Sequence, residues 1–440
     1  MAIPKLKREA GLFQLVTYGI GNIIGAGIYV LVGAASGLAG NAVWLAFIIG
    51  AFVALFTGLS YAELGSAYPK AASEYTYVGK AFGNRALSFL TEWTMLITEI
   101  VAASTVSLGF ARYLQSVTGL PILLIAASLL IVLTIIAIRG IKSSLKVNTV
   151  LSIVAILGLV IVVLAGVGKV GSVNYLYSPS GFQGVVAASL LVFFAFIGFD
   201  NITNLAEETK NPERLIPKGL LISLLISTIF YALVGIAAVS IVPWQQFSSS
   251  EAPLALAASM TFGNVAFIVL TVFALLTTFN TALVLLIVGS RIIYGMARAR
   301  ALPSILGKLN AKGAPYIAST FILIISLAFL FLGNINIIAE ITSFGSLLVF
   351  AIINLALLHL RMVAPNLKRP FKSPVNIGWF SITAALGVVS CLILLTQFDL
   401  FSIVLGLILP ISGVVIYSIT SRKGIFDTDL RIHQRHEQLT

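Results

Sequence analysis

Three glycines, Gly21, Gly25 and Gly27, interrupt an otherwise apolar run. A second run carries Phe196-Ile197-Gly198-Phe199-Asp200-Asn201, a glycine next to a carboxylate and an amide. Both patterns disfavour a continuous helix. A helix broken there would free N–H groups at the start of its second half and C=O groups at the end of its first. The N–H groups attract a carboxylate and the C=O groups an ammonium. Glycine lets a ligand reach the backbone without a Cβ in the way. A zwitterion needs both ends matched. The spacing has a second reading, because Gly21 and Gly25 form a small-xxx-small pair of the kind that packs helices together. The matching break at Ile197–Asn201 favours a binding site.

Few side chains add to this chemistry. Asp200 either caps the helix that follows, as Asp before Asn201 suits a helix N-terminus, or takes a direct part in substrate charge balance or protonation. Glu92 and Glu99 lie seven apart on one helix face and are expected to point inward. Glu99, the deeper, is a hydrogen-bonded structural acid or a proton carrier. Glu340 is an outer-vestibule residue or an exposed helix-start acid. Thr277, Thr278, Asn280 and Thr281 line a polar path or hydrogen-bond neighbouring helices. Among Phe193, Phe194, Phe196 and Phe199, Phe194 is the candidate lid. Cys391 is the one cysteine, and the histidines are His359, His433 and His436. That inventory offers no disulfide framework, no Cys/His metal spacing and no nucleophile–base pair, so neither an enzyme nor a metal or cofactor site is expected.

The elements that must hold these groups are membrane helices. Of 440 residues, 59% are hydrophobic and 10% charged, against about 25% charged in soluble domains. The net charge of +12 does not point to nucleic acid, because the positive residues sit in short loops between apolar runs. Twelve spans are predicted, at 12–36, 42–66, 86–115, 120–138, 148–168, 182–205, 217–242, 262–292, 315–333, 335–360, 376–396 and 398–420. The run at 262–292 is kept as one span because no turn signal divides it. With a cytoplasmic N-terminus, only Arg112 and Lys169 fall outside. The other positive residues, from Lys5, Lys7 and Arg8 through Lys142, Lys146, Arg300 and Lys312 to the tail set Arg422–Arg435, fall inside. Both termini are therefore expected in the cytoplasm, and the first span is read as uncleaved rather than as a signal peptide. Span 1 enters from the cytoplasm and span 6 from outside. That places the two breaks equivalently in an inverted repeat of five plus five helices, 12–168 and 182–360. Helices 11 and 12, 376–420, lie outside the repeat, with cytoplasmic segments at 1–11 and 421–440.

Gly21-Asn22-Ile23-Ile24-Gly25-Ala26-Gly27-Ile28-Tyr29-Val30-Leu31 resembles the span 1 signature of the amino acid–polyamine–organocation (APC) superfamily. Ser60-Tyr61-Ala62-Glu63-Leu64-Gly65, running on to Glu74-Tyr75-Thr76-Tyr77, is similar to its first cytoplasmic loop. Phe193 to Asp200, then Ala206-Glu207-Glu208-Thr209-Lys210-Asn211-Pro212-Glu213, resembles its span 6 and the loop after it. Ser290–Arg298 and Ala339–Leu347, with Arg369-Pro370-Phe371-Lys372, resemble span 8, span 10 and the exit loop. The match runs through nearly the whole chain in order, closest to the cationic and broad-specificity branch.

The resemblance implies a LeuT-like fold and amino-acid transport. It implies that Ala26, Gly27 and Ile28 offer amides to the substrate carboxylate, beside Gly25. Carbonyls near Ile23, Phe194 and Ile197, beside Gly198, would meet the ammonium. Two departures stand out. Ala155 occupies the span 5 position where some proton-coupled relatives carry lysine. Arg298-Ala299-Arg300-Ala301-Leu302-Pro303 replaces a common Arg-Asp-Gly before Leu-Pro.

The expectation is an all-α polytopic protein of the cell membrane, a monomer or homodimer with an amino-acid substrate and the lipid bilayer as partners. It would be a symporter or exchanger working by alternating access, with proton coupling or plain exchange favoured over sodium coupling. A membrane sensor, or a facilitative uniporter or channel of the same fold, is the alternative.

Overall fold

The computed structural model describes residues 8, 10–70, 73–139, 145–298, 301–311 and 313–422. Expectations resting on Lys5, Lys7, Lys142, Ala299, Arg300, Lys312, His433, His436 and the tail beyond 422 lie outside these residues, as do those on the side chains of Lys146 and Arg422.

Helix α1 (Leu12–Ile23) stops at Ile24, and the chain resumes as a π-helical turn, Gly27–Leu31, that runs into α2 (Val32–Ala39). Gly40, at φ 60°, turns the chain into α3 (Val43–Ala67). A short helix, α4 (Ser73–Phe82), fills the connection expected as loop. Helix α5 (Arg85–Thr118) starts on the Asn84 side chain, which accepts the Leu87 N–H at 3.1 Å. There follow α6 (Ile122–Ile138), α7 (Leu145–Val167) and α8 (Gly181–Phe193).

The second break follows α8. The chain tightens into a 3₁₀ turn at Phe194–Phe196, extends at Ile197 and passes through Gly198 at φ 108°. It resumes at Asp200–Glu208 as a 3₁₀ segment, not the α-helix expected for the second half of span 6. Helices α9 (Pro212–Ile241), α10 (Trp244–Ser248), α11 (Pro253–Phe262), α12 (Asn264–Arg298), α13 (Tyr316–Leu330), α14 (Ile335–Val363), α15 (Ile382–Leu395) and α16 (Leu400–Arg422) complete the chain.

The run expected as one span at 262–292 is indeed one helix, α12, set off from α11 by Gly263 at φ 76°. The span expected from 376 begins later. Residues 376–381 form a two-stranded hairpin, β1 (Asn376–Ile377) with β2 (Phe380–Ser381). Gly378 turns it at φ 59°, and Ser381 caps α15 by accepting the Ala384 N–H.

Among the described residues, eight helical stretches are long and apolar enough to cross a membrane, Leu12–Ala67 counted as one, and four shorter apolar helices accompany them. Position follows burial. The apolar window of α5 is 94% buried and that of α16 is 22% buried, so α5 runs through the centre and α16 along the rim. At one end of α3, Glu63 is fully buried. It pairs with Arg361 of α14 and with Arg369 of the following loop.

Candidate functional site

The two breaks touch. A Cβ added to Gly27 would land on the backbone of Ala195, and one added to Gly198 would sit 3.1 Å from the Asn22 carbonyl oxygen. Only glycine permits either approach. Between the breaks lies a cavity of about 30 Å³, measured as the space open to the centre of a water molecule. That is room for roughly two waters.

Asn22, Ile23, Gly25, Ala26 and Gly27 form one wall, and Phe194, Ile197, Gly198 and Asn201 the opposite wall. Helix α5 contributes Glu99, Ala102 and Val106; α12 contributes Thr281, Val284 and Leu285. Among the described residues, two lining side chains keep a buried polar atom with no close hydrogen bond, Asn22 Nδ2 and Glu99 Oε2. Such atoms are costly to bury unpaired. Together they seek a carboxylate oxygen and a proton-bearing group, the two ends of a zwitterion.

Two of the expected substrate contacts are not in the wall. Ile28 is fully buried one residue past it, inside the π-helical turn. Asp200 stands behind the break, where its Oδ1 accepts the Gly198 N–H at 3.2 Å. Nor does Asp200 cap the following segment, because the cap position is Phe199.

Five of the other polar candidates also turn elsewhere. Thr277 and Thr278 return their hydroxyls to the Phe273 and Ala274 carbonyls, each at 2.7 Å. Asn280 donates to Asn148 Oδ1 of α7 at 2.9 Å. Glu340 does not line the cavity; half-buried, its Oε2 accepts the Ser402 hydroxyl of α16 at 2.7 Å. Glu92 is buried as expected but accepts the Tyr75 N–H at 2.9 Å, away from the cavity. Ala155, in place of a lysine, accepts the Tyr29 hydroxyl on its carbonyl at 2.7 Å.

Several wall residues escaped selection from the sequence. Asn22 and Asn201 lie within the break motifs themselves. Ala102 and Val106 follow Glu99 by three and seven residues, and Val284 and Leu285 follow Thr281 by three and four, the spacings of one helix face. That periodicity was a usable signal.

Residues 11–419 match the family described as amino acid permease. The chain is 33% identical to the branched-chain amino acid permease BcaP of Bacillus subtilis (strain 168), across 95% of this chain and 94% of the relative. It is 29% identical to the methylthioribose transporter of the same organism, across 84% of each. It is 31% identical to the vacuolar cationic amino acid transporter 4 of Arabidopsis thaliana, across 82% of this chain and 64% of the relative.

Proposed function

The chain belongs to the amino acid permease family, a family of transporters rather than enzymes, and on that premise we propose that it is a secondary transporter carrying amino acids across the cell membrane by alternating access. One observation carries this proposal. Two broken helices line one cavity, whose donor and acceptor without a partner among the described residues suit a zwitterion.

The side-chain end of the cavity is aliphatic, with Ala102, Val106, Val284 and Leu285 in its wall. That favours a neutral branched substrate such as leucine, the kind named for the Bacillus relative. A cationic substrate is the second reading, because Glu99 also faces the cavity and the Arabidopsis relative is a cationic transporter. Counterflow in proteoliposomes separates them. Labelled leucine is expected to exchange for internal leucine, isoleucine and valine. Exchange for arginine and lysine alone would favour the cationic reading, and no exchange with any amino acid would sink both.

Support for the LeuT-like repeat comes from packing. If Leu12–Ala67 is two crossings and Ile122–Ile138, Tyr316–Leu330 and Ile382–Leu395 each cross once, the chain has twelve spans. Four of the five proposed pairs of symmetry mates then pack on each other: α2 with α8, α3 with α9, α5 with α12, and α6 with α13. Both termini are assigned to the cytoplasm from the Lys/Arg distribution.

Proton coupling is assigned to Glu99. It is buried, and among the described residues it has no ion-pair partner. Glu99→Gln is expected to flatten the pH profile of uptake, because an amide cannot take up and release a proton. An unaltered profile would retire Glu99 as the carrier. Asp200→Asn keeps an acceptor for the Gly198 N–H and is expected to retain most uptake. Asp200→Ala strands that N–H, at a cost of about 1–3 kcal/mol, and initial rates are expected to drop several-fold. Equal rates in the two variants would show that the brace does not matter.

A further inference from the structure

Residues 364–381 join α14 to α15 and carry Lys368, Arg369 and Lys372 with no acid. The β1–β2 hairpin within them is held from one side by polar groups. Asn376 accepts an Arg361 N–H on its Oδ1 and donates to the Ser373 carbonyl at 2.7 Å. The Ser373 and Ser381 hydroxyls meet at 3.0 Å. The Ile382 N–H donates to the Val375 carbonyl at 3.1 Å. Through Arg361 the hairpin is tied to the buried Glu63 carboxylate.

What the hairpin exposes is apolar. Val375, Ile377, Trp379 and Phe380 are 61, 70, 50 and 38% exposed. Trp379 stands edge-on to Phe380, with ring centroids 5.7 Å apart. A hairpin facing water shows the reverse, apolar side chains inward and polar ones outward. Apolar groups gathered at a surface mark a contact. Helix α15 starts one residue after β2, and its exposed side chains include Leu386, Val389 and Ile393. The hairpin therefore stands where a lipid-facing helix leaves the membrane. Tryptophan favours that level, with its ring in the apolar boundary and its N–H among the headgroups. Lys368 and Lys372 are exposed, and neither makes an ion pair among the described residues. Arg369 is committed to Glu63.

We propose that the 375–380 hairpin is an interfacial anchor that docks on anionic phospholipid headgroups. Its apolar side chains enter the acyl boundary, and Lys368 and Lys372 pair with the phosphates. The charge selects the lipid, since the whole connection holds three cations and no acid.

The test uses the purified full-length protein in liposomes whose acyl chains carry bromine, which quenches tryptophan on contact. Trp379 is one of four tryptophans, so its share is the difference between the wild type and Trp379→Phe. Brominated phosphatidylglycerol is expected to quench that share at about one-fifth the mole fraction needed with brominated phosphatidylcholine, the scale of one lysine at an anionic surface. High salt, or Lys368→Gln combined with Lys372→Gln, should remove the preference and leave the quenching itself. No quenching of Trp379 by either lipid would overturn the anchor. Equal quenching by both lipids in the wild type would overturn the anionic choice, and a preference that survives the double variant would overturn the role of the lysines. Quenching that fades as the protein-to-lipid ratio rises would give the surface to a second copy of the chain and overturn the lipid assignment.

Discussion

Gly25→Leu is expected to abolish saturable amino-acid uptake while leaving the protein folded. A Cβ at position 25 would lie 2.8 Å from the Thr281 hydroxyl and 3.2 Å from its methyl group. Thr281 is β-branched and its Cβ also lies 3.5 Å away, so even Gly25→Ala requires α12 to shift locally. The rest of a leucine has only the cavity to enter, and at about 30 Å³ that space cannot hold both it and a substrate. Overpacking of this sort costs about 1–3 kcal/mol in stability, which a folded helical bundle tolerates. The check pairs uptake with thermal unfolding in detergent. Loss of uptake with a cooperative melt supports the site; normal uptake would remove it from the first break. Gly27 differs, because its neighbour is Ala195 backbone rather than a side chain. Any substitution there must push the two breaks apart.

Glu63→Ala should destabilise the protein more than any other single change described here, by about 3–5 kcal/mol. Glu63 Oε1 accepts Arg361 Nε at 2.8 Å and pairs with Arg369 Nε at 3.3 Å. Its Oε2 takes a second Arg361 nitrogen and the Ser373 N–H, the latter at 2.7 Å. Truncation leaves Arg361, 2% exposed, as a buried cation with its carboxylate gone. Removing both partners should hurt less, because an uncompensated charge costs more than a missing pair. Glu63→Met combined with Arg361→Met is therefore expected to recover part of the lost melting temperature. Arg369 can remain, since it also donates to the Ala364 and Leu367 carbonyls at 3.0 Å each. A double variant no more stable than Glu63→Ala would show that the buried charge is not what sets the cost.

Much of the site was legible in the residues. Glycine next to a polar group within an apolar run is costly in lipid unless the backbone has a use there, so both breaks stood out. Glu99 stood out for the same reason. What stayed hidden depends on partners far away in the chain. Tyr231 looks like any aromatic in an apolar helix, because the Ile23 and Ala195 carbonyls it bonds have no letter in the sequence. Thr277 and Thr281 are one turn apart and of one type, and only the placement of α12 against its neighbours puts the second in the wall. The bond between Glu340 and Ser402 spans 62 residues, and no local pattern announces it. Ile377, Trp379 and Phe380 have the hydropathy of a membrane span, yet the turn at Gly378 sets them in a hairpin.

The segment Asp200–Glu208 is wound as a 3₁₀-helix over nine residues. At about 2.0 Å of rise per residue it climbs roughly 18 Å. An α-helix, at about 1.5 Å per residue, would need roughly twelve residues for the same distance. The chain thus travels from the cavity to the bridge between Ala10 and Thr209 on a slender, economical strut, with fewer side chains to fit among its neighbours on the way.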